Sequence, residues 1–208
     1  MELNTSQADS LTELINIGYG RAAAALSELT GYRISLDVPA VVMHPIDEIA
    51  PLLLDTIPGK VATVNQAFAG SIAGNALMML DENSALLLSQ LLLDERSAPQ
   101  EFDASAREII TEVGNILLNA CLGVFGNLLQ VQVSFSVPRL QVDSVAVTLD
   151  NIKNDHPERL RYALMIHTRF QLRASNVIGY LFIVLGITSL DRMLLELEKW
   201  ENRQISFS

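Results

Sequence analysis

From Asp9 to Leu29, apolar residues recur at Leu11, Leu14, Ile15, Ile17, Leu26 and Leu29. Steps of three and four place them on one face of a helix. Gly31 follows where a left-handed residue commonly closes a helix. The period then changes: across Tyr32–Val38, Tyr, Ile, Leu and Val alternate with Arg, Ser and Asp, the pattern of a half-buried strand. A short helix is expected over Pro45–Asp55, before a turn at Pro58-Gly59. Strands are expected at about Lys60–Phe68 and Ser71–Leu80, with a stop at Asp81-Glu82-Asn83, then a helix over Ser84–Leu93. A second long helix spans about Ala104–Leu129, followed by a strand over Val131–Val137. Further strands near Arg161–Leu172 and Asn176–Leu185 precede a helix over Ser189–Trp200.

The two halves carry the same pattern. Asp9, Glu13, Asn16 and Pro39 recur as Glu108, Glu112, Asn115 and Pro138, each 99 residues further on. Apolar positions keep step: Ile17 with Ile116, Leu26 with Phe125, Leu29 with Leu128, Ile34 with Val133, Val38 with Val137. Later matches need six more residues, pairing Gln66 with Gln171, Gly74 with Gly179, Leu80 with Leu185 and Ser84 with Ser189. The polar stretch Asp150–Arg159 is the expected place for them, as a loop. Ala98-Pro99-Gln100 reads as a linker between repeats of about 9–94 and 103–201. Each repeat alone would bury little, so a shared core is expected. The fold class read from this is α+β: a single pseudo-two-fold domain over 1–208, made of two helix–strands–helix repeats, with a largely antiparallel sheet and long helices carrying the motifs.

Residues at i, i+4 and i+7 of a helix fall within about 60° of one another. Asp9, Glu13 and Asn16 therefore form one stripe, and Glu108, Glu112 and Asn115 another, with no Lys or Arg at helical spacing to pair the acids. An ordinary solvated face, with an acid favoured near a helix N-terminus, would account for one such stripe. Two in the same register, each followed by a proline at the same distance, point to a shared task.

Charge narrows that task. Fourteen Lys and Arg against 24 Asp and Glu give a net charge of −10, which argues against non-specific binding to nucleic acid or anionic lipid. A hydrophobic fraction of 50% marks a core-forming chain. Cys121 is the single cysteine and lies in the apolar run Ile116–Val124, where it reads as a small buried hydrophobe. No internal disulfide can form, the N-terminus lacks a signal-peptide pattern, and the apolar run Val177–Ile187 is too short for a membrane span. A cytoplasmic protein without membrane insertion is expected. His44, His156 and His167 are scattered without metal-ligand spacing, and no Walker A or G-x-S-x-G motif occurs.

The segments LTELINIGYGRAAAALSELTGYRISLDVP and REIITEVGNILLNACLGVFGNLLQVQVSFSVP resemble the CheC, CheX and FliY family of chemotaxis phosphatases. That family's signature is an acid or Ser, then Glu, Asn and Pro at the spacing seen here twice. Two full motifs make the two-motif CheC subtype the nearest resemblance. Glu108 departs from the pattern, which more often has Asp or Ser there. The resemblance implies an aspartyl-phosphate phosphatase acting on a CheY-like receiver domain. Glu13, Asn16, Glu112 and Asn115 would be its catalytic residues, and Asp9 and Glu108 further receiver contacts. It implies no cofactor of the chain's own, since magnesium and a lysine come with the receiver. Asn16 or Asn115 could then hold a water in line with phosphorus, while Glu13 or Glu112 pairs with that lysine. The alternatives are a non-catalytic module that sequesters a receiver or a CheD-like deamidase, and a scaffold whose stripes are buried against another subunit. Solvent exposure of the stripes separates the scaffold from the other two.

Overall fold

A computed structural model describes residues 3–37, 41–54, 56–57, 59–93, 99–155, 160–172 and 175–205. The first half runs α1 (Thr5–Thr30), β1 (Ile34–Asp37), β2 (Val41–Pro45), α2 (Ile46–Leu53), β3 (Lys60–Gly70), β4 (Gly74–Asp81) and α3 (Glu82–Leu92). The second follows the same order: α4 (Ala104–Leu128), β5 (Val133–Phe135), β6 (Arg139–Ser144), α5 (Val145–Asp155), β7 (Leu160–Leu172), β8 (Ser175–Gly186) and α6 (Ile187–Ile205).

Among the described residues, eight strands form one sheet in which every pairing is antiparallel. Its order is β1-β7-β8-β4-β3-β5, with β2 also pairing β7 and β6 also pairing β3. The strands alternate their side chains between two apolar layers. In β4, Ala76, Met78 and Leu80 face the larger core with α1, α3, α4 and α6, while Leu77 and Met79 face α2 and α5. In β8, Leu181 and Ile183 face the first layer, and Phe182 and Val184 the second. Burial on both faces explains why β4 and β8 read as continuous apolar runs.

Helix ends follow from local chemistry. The Asn4 side chain accepts from Gln7 N at 2.8 Å while Gln7 Oε1 accepts from Asn4 N at 3.1 Å, a reciprocal cap on α1. Asp103 Oδ1 caps α4 by accepting from Ala106 N at 3.0 Å. Gly31 closes α1 at φ 72°, and Gln130, 99 residues on, adopts φ 56° beyond α4. Glutamine pays a steric penalty in that region. Replacing the exposed Gln130 by Gly should raise unfolding stability in urea by about 0.5–1 kcal/mol, the left-handed penalty less glycine's extra chain entropy.

Gly114 brings α4 close to the sheet. A Cβ there would fall 2.6 Å from Val64 Cβ and Cγ1 on β3. Val64 Cβ is fixed by its backbone, so no rotamer relieves the clash. Gly114→Ala should lower the free energy of unfolding by about 1–3 kcal/mol, read as a shifted urea midpoint.

The structure corrects several expectations. Strands β2 and β6 lie where no element was read, because each is a short segment completing the edge of a longer strand. Residues 150–155, expected as loop, belong to α5, whose Val145, Leu149 and Ile152 pack under the sheet. Lys153 bonds Asp47 of α2 at 2.9 Å and Asp150 at 2.8 Å, which joins the two helices of that layer. Pro39 and Ala98 lie outside the described residues. The match of Gln66 with Gln171 also fails in the sheet. Ser35 stands opposite Gln171, and Ser134, 99 residues after Ser35, stands opposite Ala69. Gln171 thus takes the place of Ala69 (171 − 69 = 102), and the residue matching Gln66 is Thr168. Three extra residues precede β7 and three fall between it and α6, since α3 and α6 start 105 apart.

Helix α4 is long and apolar enough to cross a membrane by length and composition. Half of its most apolar window is buried in the protein, with Ile110, Val113, Leu117 and Leu118 on the sheet side.

Candidate functional site

Both stripes face outward. On α1, Leu11, Leu14, Ile15, Gly18 and Tyr19 point into the core, which leaves Asp9, Glu13 and Asn16 exposed on the opposite side. On α4, burial of Ile110, Val113, Gly114 and Leu117 leaves Glu108 and Glu112 exposed and Asn115 half-buried. Among the described residues none of the four carboxylates takes part in an ion pair. Each stripe therefore offers uncompensated negative charge and an amide to an approaching molecule. Neither stripe is packed inside the chain itself.

The two sites differ in what lies behind the asparagine. Asn115 Nδ2 lies 3.4 Å from Glu112 Oε2, and Asn115 Oδ1 accepts from Asn119 Nδ2 at 2.6 Å. Asn119 Oδ1 accepts in turn from Gln66 Nε2 at 2.9 Å, and the same nitrogen donates to the Ser136 carbonyl at 3.0 Å. A line of side chains thus runs from the sheet edge to the motif. Gln66 is 1% exposed and its Oε1 is buried with no partner among the described residues.

At the first site Gly20 stands where Asn119 would be. A Cβ there would meet nothing within 4 Å. Thr168, in the place of Gln66, is hydrogen-bonded to the Tyr19 hydroxyl inside the core. Burial raises the Tyr19 pKa well above the ordinary tyrosine value, so this hydroxyl stays protonated as a structural partner. Among the described residues, no hydrogen bond holds the Asn16 side chain.

Sequence reasoning missed Gln66, Asn119 and Ser136. The signal was present in part, since Asn119 extends the stripe of Glu108, Glu112 and Asn115 by one further turn. Comparison of the halves hid it, because the matching residue is a glycine.

Beside the second stripe lies an open groove between the end of α1, the end of α3 and the start of α4. Leu26, Leu29, Ile109 and Val113 line it together with Glu108 and Glu112. Leu29 is 64% exposed, so apolar surface borders the acids. The other candidates fall away. Cys121 is buried against α1, and burial pushes its thiol pKa far up, which leaves it no nucleophilic role. His167 stacks on Tyr180 at 5.2 Å, and His44 lies 4.0 Å from Glu48 on the surface. His156 is outside the described residues.

No family model matches the chain. Two relatives from Bacillus subtilis (strain 168) do. The chain is 19% identical to the flagellar motor switch phosphatase FliY over 181 residues, covering 85% of this chain but only 45% of FliY. It is 21% identical to the CheY-P phosphatase CheC over 207 residues, covering 94% of this chain and 95% of CheC. The chain thus spans under half of one relative and nearly all of the other. Among solved structures, Thermotoga maritima FliY superposes with a TM-score of 0.74 at 18% identity, over 96% of this chain and all of that one.

Proposed function

We propose that the chain, similar to CheC over nearly its whole length and to FliY in sequence and fold, is a member of the CheC, CheX and FliY family and dephosphorylates the aspartyl-phosphate of a CheY-like receiver domain. The observation that carries this reading is the display of a carboxylate and a carboxamide one turn apart, twice, on outward helix faces. The names of the two relatives, both phosphatases, support the reaction class.

Phosphoryl transfer through a loose transition state needs positioning and charge stabilisation more than covalent chemistry. An aspartyl-phosphate is already activated, and the receiver brings the magnesium and lysine that neutralise its oxygens. What this chain adds is small. Asn16 or Asn115 enters the phosphorylated pocket and holds a water in line with phosphorus, using an amide that can both donate and accept. Attack by that water breaks the bond between phosphorus and the aspartyl oxygen, releasing inorganic phosphate and the free carboxylate. Glu13 or Glu112 pairs with the receiver lysine and fixes the register of docking. Asp9 and Glu108, one turn earlier, extend the acidic contact. The groove beside Glu108 and Glu112 gives apolar surface for the docked domain at the second site.

The test is the decay of a phosphorylated CheY-like receiver with and without the protein. Substoichiometric protein should speed release of inorganic phosphate over many turnovers. Binding that slows or leaves decay unchanged would instead favour sequestration of the receiver.

A further inference from the structure

The direction of the amide line behind Asn115 is set by the backbone. The Ser136 carbonyl can only accept, so the Gln66 atom facing it at 3.0 Å must be Nε2. That nitrogen also donates to Asn119 at 2.9 Å, which fixes Oδ1 as the Asn119 atom turned inward. Asn119 Nδ2 then faces Asn115 at 2.6 Å and requires an acceptor, which is Asn115 Oδ1. The NH2 group of Asn115 is left on the outer side, beside Glu112. Turning Gln66 over would set its oxygen against the Ser136 oxygen.

We propose that Asn119 and Gln66 are positioning residues of the second site, which hold the Asn115 amide with its NH2 group outward before a substrate arrives. The inference rests on the reading that Asn115 orients the attacking water. A side chain already fixed loses less freedom when it enters a reaction geometry. Gln66 suits the role because it is buried in β3 and tied to the segment after β5, so the reference point is the sheet itself. The first site lacks the device: Gly20 offers no side chain, and Thr168 is turned to Tyr19. There the substrate has to order Asn16.

The experiment uses the full chain in an Asn16→Ala background, so that turnover reports the second site. Asn119→Ala should lower kcat on a phosphorylated receiver about 3- to 10-fold, as expected for loss of one orienting hydrogen bond, with KM unchanged. Asn119→Asp keeps the acceptor for Gln66 but sets a second acceptor against Asn115 Oδ1, so it should lose at least as much. Side-chain 15N relaxation, measured in proteins that keep Asn16, gives a readout without catalysis: the Asn115 NH2 group should be ordered in the wild type and mobile in the single variant Asn119→Ala, with Asn16 mobile in both. Unchanged kcat in Asn119→Ala, or an Asn115 amide as mobile as that of Asn16, would overturn the proposal. Persistent turnover in a protein carrying both Asn16→Ala and Asn115→Ala would instead defeat the proposed function, and the relaxation result would still decide whether Asn115 is held.

Discussion

Alanine at both Asn16 and Asn115 should cut the acceleration of receiver dephosphorylation by about a hundredfold or more, the scale expected when a reacting group loses its orientation. Both side chains lie on outward helix faces, and neither fills the core. Alanine also favours helix more than asparagine does. The double variant should therefore fold as the parent does and still bind the phosphorylated receiver through Glu13 and Glu112. The decisive measurement is single-turnover release of inorganic phosphate with the protein in excess, which separates the chemical step from docking. Loss of binding in step with loss of rate would reassign the asparagines to recognition. Full activity would remove them from the reaction.

Reversing charge at both glutamates should act on the other half of the process. Glu13→Lys together with Glu112→Lys sets a cation against the receiver lysine, and juxtaposed like charges cost several kcal/mol at an interface. The dissociation constant for a receiver held in its phosphorylated form by beryllofluoride should rise about a hundredfold or more, as read by calorimetric titration. Neither glutamate has an ion-pair partner among the described residues, so the helices lose no internal bridge. Circular dichroism should be unchanged. The wild-type association should itself weaken as salt is raised, since exposed charges are screened over about 10 Å at 0.1 M. Affinity that survives charge reversal would put the docking surface elsewhere.

Much of the architecture was legible in the sequence where the signal was local. The long helices were readable because apolar residues recur at helical spacing over many turns and because Gly31 marks an end. Their exposed stripes followed from the same spacing. What escaped was set by partners far away in the chain. β2 and β6 are short and gain their hydrogen bonds from β7 and β3 in the opposite half, so neither shows a pattern of its own. The register of β7 could not be read by matching letters: Gln171 resembles Gln66 but lies opposite Ser35, as Ala69 lies opposite Ser134. Asn119 illustrates the same limit at the site. Its meaning depends on Gln66, 53 positions earlier, and on the carbonyl of Ser136.

The strand order carries a consequence for how the molecule comes apart. β7, from the second half, carries β1 and β2 from the first, while β3 from the first carries β5 and β6 from the second; β4 and β8 meet in the middle. Each half thus lends its longest strand to finish the other's border. A cut between α3 and α4 would not yield two self-sufficient pieces, because each fragment would keep short ribbons without their template and a template without its ribbons. Damage to one repeat should be felt across the whole sheet, and melting should proceed as one event.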